Sequence, residues 1–211
     1  MKRSIFVLSI FLISGSLQAQ SMQDVFKDKQ MTWYGLDFSQ AKFIGAFTNT
    51  GPKDSKSPTV LRDIYFEGWN YVIVNEKKKY NLQFFFDKNV VKYDLSKVRA
   101  INSSVDTATM MATSVVPFTG KQIQQAVLNY RNKDTSGLGL VFIIESFDRN
   151  QDLGTMHAAF FDIATGIVLF TKKVKSTPDG MGVRNYWIRT VYNSMEAMHK
   201  NWKTWAKEAG I

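Results

Sequence analysis

The sequence predicts an α/β (α+β) protein: one mixed β-sheet of about five strands with helices packed on it, in the order β-α-β-α-β-β-β-α. Three observations carry that expectation. Leu138 to Phe147 is a nearly unbroken apolar run, the pattern of a central strand whose two faces are both covered. Thr155 to Ile163 and Ile167 to Val174 flank Ala164-Thr165-Gly166, a short turn with glycine where positive φ is expected, so the last strands form an antiparallel meander. Val183, Trp187, Ile188, Val191, Met195, Met198 and Trp202 then recur at helical steps. Arg184, Arg189, Asn193, Glu196 and Lys200 fall between them, which gives a final helix with one buried stripe.

The remaining elements follow along the chain. Lys2 and Arg3, the apolar run Ile5 to Ile13 broken only by Ser9, and the small residues Gly15, Ser16 and Ala19 before Gln20 form a cleavable export signal. Its apolar stretch is shorter than the ~20 residues a membrane span requires. A cut near Ala19 or Gln20 leaves Leu17 or Gln18 at the third-last position, a poor match to the small-x-small pattern, so the cleavage point is not fixed. The expected organisation is a signal peptide over residues 1–20 and a single α/β domain over 21–211, with no transmembrane span in the mature chain.

Ser21 to Gln30 is a polar lead-in or short helix. Thr32 to Gly45, with Trp33, Tyr34, Leu36, Phe38, Phe43 and Ile44, predicts the first strand. Asn49 to Ser57 is a loop. Ser57-Pro58 supplies an N-cap and a proline at the first helical position, and Val60, Leu61, Ile64, Gly68, Tyr71 and Val72 continue a helix to about Asn75. Tyr80 to Asp87 predicts a helical turn. Val90 to Ile101, with Val91, Tyr93, Leu95 and Val98, predicts a second strand exposed on one face. Val105 to Pro117 is rich in Thr, Ser, Ala and Met and shows no clear period. Thr119 caps a helix through Tyr130, since Ile123, Val127 and Tyr130 share a face, and Asn132 to Gly137 ends it. Crossover connections make the early strands partly parallel.

Composition narrows the function classes. With 211 residues, 45% hydrophobic and 21% charged, the chain belongs with globular proteins rather than disordered or collagen-like ones. It contains no cysteine, which excludes disulfides, Cys-ligated zinc, iron–sulfur clusters, cysteine nucleophiles and a lipidated N-terminal thiol. Removing Lys2 and Arg3 leaves 25 basic and 18 acidic side chains, a net +7. That balance favours an anionic envelope component, such as phospholipid headgroups or acidic polysaccharide; nucleic acid needs a dense basic stripe that is missing. The one compact basic run is Lys77, Lys78 and Lys79, at a helix end.

Chemistry-bearing motifs are sparse. His157 falls in a strand and His199 in the last helix, with no neighbour at metal-ligand spacing. Gly120-Lys121 is followed by Gln122 and is no phosphate loop. Asp148, Asn150 and Asp152 mimic the opening of a calcium loop, but Gly154 arrives one place late and Ala159 stands where a glutamate belongs, so a polar hairpin turn is expected. Glu145 with Asp148 or Asp152 could form a carboxylate pair for sugar hydrolysis. No catalytic, cofactor-binding or metal-ligating residue is assigned. Of Trp33, Trp69, Trp187, Trp202 and Trp205 most belong to the core, with one of the last two available as a contact surface.

The run Phe160-Phe161-Asp162-Ile163-Ala164-Thr165-Gly166-Ile167-Val168-Leu169-Phe170, strand, Thr-Gly turn and strand before a long helix, resembles the late region of small bacterial envelope proteins. These include curli-secretion-channel and peptidoglycan-synthase-activator lipoproteins, the N-terminal domain of TolB and, most of all, uncharacterised exported α/β proteins. The likeness covers the last third of the chain and implies binding to other envelope proteins; the missing lipidation cysteine departs from it. The expected function is that of a periplasmic or secreted, non-catalytic protein binding an envelope protein or anionic component, with a homodimer through a sheet edge or helix face as a further expectation. The alternatives are a hydrolase acting on an envelope sugar or ester, and a carrier of a small apolar ligand.

Overall fold

Residues 20–49 and 54–211 are described by the computed structural model. The expected export signal, Gln20 apart, lies outside the described residues. Helix α1 (Asp24–Lys27) leads into β1 (Gln30–Asp37). The first strand expected over Thr32 to Gly45 is two strands, because the chain turns where the Ala41 N–H donates to the Phe38 carbonyl and resumes as β2 (Lys42–Ile44).

Ser57 caps the next helix by accepting from the Val60 N–H, with Pro58 in the first position. It begins as α2 (Pro58–Val60), passes through a π-helical stretch (Leu61–Phe66) and continues as α3 (Glu67–Asn75). Asn81 caps the short α4 (Leu82–Phe85). The second strand is shorter than its alternating pattern predicts: β3 (Val90–Tyr93) stops because the Asp94 carboxylate accepts from the Ser96 N–H and turns the backbone into α5 (Ser96–Ser103). Val98 and Asn102, four apart, form its buried stripe.

Helix α6 (Gly120–Leu128) carries a capping box, Thr119 accepting from the Gln122 N–H while the Gln122 side chain accepts from the Thr119 N–H. Strands β4 (Leu138–Asp148), β5 (Leu153–Asp162) and β6 (Val168–Ser176) make the expected meander, and α7 (Gly182–Glu208) closes the chain. The sheet order is β3-β1-β4-β5-β6, with β2 pairing β4 beyond the end of β1, so six strands stand where about five are expected. Strand β1 runs parallel to both β3 and β4, β2 runs parallel to β4, and the meander is antiparallel. Every residue of β4 is buried, as its apolar run requires.

One face of the sheet holds α3, α4 and α7. There Phe147 stacks on Trp187 at 4.7 Å, and Phe160 meets Trp202 and Phe86. The absence of a side chain at Gly154 lets α7 come close enough that an added Cβ would lie 2.8 Å from Thr190. The other face is covered by α6 and the following Tyr130, whose ring meets Tyr34 and Phe161. Of the five tryptophans, four are buried; Trp205 is half-buried beside Phe170 and Lys172. Among the described residues no helix is long and apolar enough to cross a membrane.

Past Trp33, β1 loses its β3 neighbour, and two buried asparagines replace it. Asn70 Oδ1 accepts from the Leu36 N–H at 2.7 Å while its Nδ2 donates to the Leu36 and Phe66 carbonyls. Asn102 Oδ1 accepts from the Phe38 N–H at 2.9 Å and its Nδ2 donates to the Leu36 carbonyl. The backbone groups a missing strand would strand in the core are thus satisfied by amides from α3 and α5.

Asp37, at the end of β1, is fully buried, and its carboxylate accepts from the Ser39 N–H and from Tyr130 Oη at 2.8 Å. Burial raises its pKa above the ordinary carboxylate value, more than these two donors lower it. A raised folded pKa means that the stability tied to this group is complete below the ordinary value of 3.8 and is lost as pH rises through the folded value. Asp37→Asn, a neutral isostere whose amide can face Tyr130, is therefore expected to raise stability at neutral pH by on the order of 1 kcal/mol, or ~2–4 °C in Tm. Thermal melts at pH 7 and pH 3.5 check it: a gain at pH 7 that vanishes at pH 3.5 agrees, and an equal loss at both pH values does not.

Candidate functional site

Two places gather the residues that sequence reasoning singled out. The first lies on the α6 side of the meander. Between Ile144 and Ser146 the pairing of β4 with β5 slips by one residue, leaving Glu145 unpaired in a bulge. His157 on β5 sits opposite Lys173 on β6, and the bulge turns the Glu145 carboxylate towards both. His157 Nε2–H donates to Glu145 Oε2 at 2.9 Å, Lys173 Nζ donates to Oε1 at 2.6 Å, and the Phe118 N–H donates to Oε2 at 2.9 Å. The Phe118 ring stacks over the imidazole at 5.7 Å. A cleft of about 310 Å³ opens onto this cluster, with Glu145 and Lys173 in its lining together with Ser114, Asp148, Thr155 and Lys175.

Burial pushes the Glu145 carboxyl up, but the hydrogen bonds from His157, Lys173 and the Phe118 N–H outweigh it and hold the group below the ordinary carboxylate value. Both oxygens are occupied and the carboxyl is held ionised. A general acid needs the opposite, a raised pKa and an oxygen open to substrate. The acids grouped with Glu145 by sequence are engaged elsewhere: Asp148 accepts from the Asn150 and Gln151 N–H groups, and Asp152 binds Arg149 and Tyr186. Asp148, Asn150 and Asp152 form the polar hairpin turn, with Asp152 at φ 48°. His157 finds no serine or threonine hydroxyl among the described residues. Chemically the cluster is a staple that ties the irregular segment before α6 onto the sheet.

The second place joins the end of α3, α4 and α7. The lysine run lies in the turn after α3 and is divided. Lys77 sits over the Tyr93 ring at 4.8 Å, whereas Lys78 and Lys79 face α7 across a groove of about 350 Å³. Asn81, Phe84, Phe85, Tyr192, Glu196, His199 and Lys200 complete its lining. Helix α4 is too short to bury all its phenylalanines: Phe85 faces the core and Phe84 is 58% exposed. Its ring lies 4.3 Å from that of His199, which is fixed by a hydrogen bond from Nδ1 to the Phe85 carbonyl. Glu196 is the one acid in the lining and is turned to Tyr192, whose hydroxyl it raises in pKa by accepting its hydrogen bond.

Sequence reasoning reached Lys78, Lys79 and His199 separately and missed Phe84 and the role of Lys200. No linear signal joins groups more than a hundred positions apart; the one available hint was three consecutive phenylalanines, two in a four-residue helix and the third at its C-cap, which cannot all turn inward.

No family model matches the chain, and no curated protein matches it.

Proposed function

We propose that the chain is an exported, non-catalytic binding protein of the cell envelope, periplasmic or secreted, whose partner carries negative charge. The export signal supports the location. One observation carries the binding role: Phe84, 58% exposed, stands in a groove with Lys78, Lys79 and Lys200 and a single acid. An exposed ring that shares a groove with three lysines offers apolar and cationic contacts in one place, which supports a contact surface there. Its charge selects an anionic partner. Self-association through the β6 edge is disfavoured by Lys172, Lys173 and Lys175 along that strand, since charged edges resist strand addition.

A photo-crosslinking residue placed at position 84 tests this in the native envelope. Adducts with an anionic component, lost when Lys78 and Lys200 are changed to glutamate, are expected. Recovery of the protein crosslinked only to itself, or adducts indifferent to the two lysines, would count against a charged hetero-partner.

A further inference from the structure

The basic surface extends beyond the groove. Tyr192, Glu196, His199 and Lys200 line it from α7, and at helical spacing Lys203 and Lys207 continue the same stripe at i+3 and i+7 from Lys200. Both are exposed. Lys200 to Lys207 cover ~10 Å along the axis at 1.5 Å per residue. Together with Lys78 and Lys79 they form an array in which cations are spread over a face and one large apolar ring projects from among them. The opposite stripe of α7 is used in the core, with Met195, Met198 and Trp202 buried; on this side His199 meets Phe84 and the Phe85 carbonyl of α4, and beyond that contact Lys200, Lys203 and Lys207 stand exposed.

From this we infer that the face is a docking surface for an anionic phospholipid bilayer, on which the protein lies peripherally with Phe84 entering the headgroup boundary. The inference rests on the reading of an anionic partner above and names it. Three features select a bilayer. Lysines are compact point charges suited to many phosphates at once, whereas the two-pronged grip of arginine is absent from the groove lining. The charges are laid out along a helix flank rather than converging on one point, as a small anion would require. The exposed ring, packed at a tilt against His199, gains by leaving water for the acyl boundary, the arrangement of interfacial anchors that combine apolar side chains with a polybasic face.

The test is co-sedimentation of the purified, processed protein with vesicles containing phosphatidylglycerol and with purely zwitterionic phosphatidylcholine vesicles. Binding to the anionic vesicles only is expected, weakening as salt is raised. Phe84→Ser is expected to weaken it ~10-fold. Lys78→Glu, Lys200→Glu and Lys203→Glu combined are expected to weaken it ~100-fold or more, with an unchanged circular dichroism spectrum. Equal binding to both vesicle types, or anionic binding insensitive to Phe84 and the lysines, overturns the inference. Retention on an acidic polysaccharide without vesicle binding overturns the bilayer and leaves the anionic reading standing; retention on neither overturns both.

Discussion

Glu145→Ala is expected to destabilise the protein by about 3 kcal/mol or more, the usual cost of removing one partner from a buried, hydrogen-bonded charge cluster. Its carboxylate is 3% exposed by side chain and accepts from His157, Lys173 and the Phe118 N–H, so its loss leaves three donors short at once. Lys173→Ala should cost much less: Lys173 is 33% exposed, and Glu145 would keep the imidazole and the amide. The pH dependence has a defined sign. Because the folded pKa of Glu145 lies below the ordinary 4.5, its contribution is complete above that value and is lost as pH falls through the folded value. Urea denaturation of the wild type and both variants at pH 7 and near pH 3 measures this. A gap between wild type and Glu145→Ala that narrows in acid agrees; equal costs for Glu145→Ala and Lys173→Ala, or a cost below ~0.5 kcal/mol, would show that the cluster is no staple. Hydrogen exchange at the Phe118 amide should accelerate in the Glu145→Ala variant as the segment before α6 loosens.

Gly35→Ala is expected to be at least as damaging, by ~3–5 kcal/mol, for two separate reasons. Gly35 has φ 107° at the irregularity of β1, a conformation costly for any residue with a Cβ. An added Cβ would also lie 2.6 Å from Asn70 Oδ1 and 2.7 Å from a Val98 methyl. Neither neighbour can yield cheaply, since Asn70 is holding the Leu36 backbone and Val98 is fully buried. Gly68→Ala is the control. Gly68 is in α3 with nothing within 4 Å of the added carbon, so alanine there should stabilise by about 0.5–1 kcal/mol. Opposite signs for the two substitutions in one denaturation series are the expected result. A mild Gly35→Ala would mean that the asparagine clamp gives way easily.

The clamp also shows where one-dimensional reasoning runs out. Asparagine inside a helix is unfavourable, so Asn70 and Asn102 carried a faint signal of being elsewhere employed. Nothing in their spacing showed that both converge on the Leu36 carbonyl, Asn70 also accepting from the Leu36 N–H and Asn102 from the Phe38 N–H, from helices on either side of β3 in the chain. The strand expected over Val90 to Ile101 failed at Asp94 for a related reason. Val91, Tyr93, Leu95 and Val98 tolerate either period, and a local bond from the Ser96 amide to the Asp94 carboxylate decided the matter for helix.

What the chain's order of residues determined alone was the layered α/β plan: a buried central strand, a glycine-turned meander, a capped α6 and a two-faced α7. Each follows from periodicity or from a cap within a few neighbours, which are properties of short stretches of chain. Tertiary structure decided the rest. It set Glu145, His157 and Lys173 on three adjacent strands through a one-residue bulge, and it brought Phe84 and Lys78 against His199 and Lys200 by packing α4 on α7. Such meetings depend on register and on which of several apolar rings the core has room to bury, and these are fixed only when the layers close on one another.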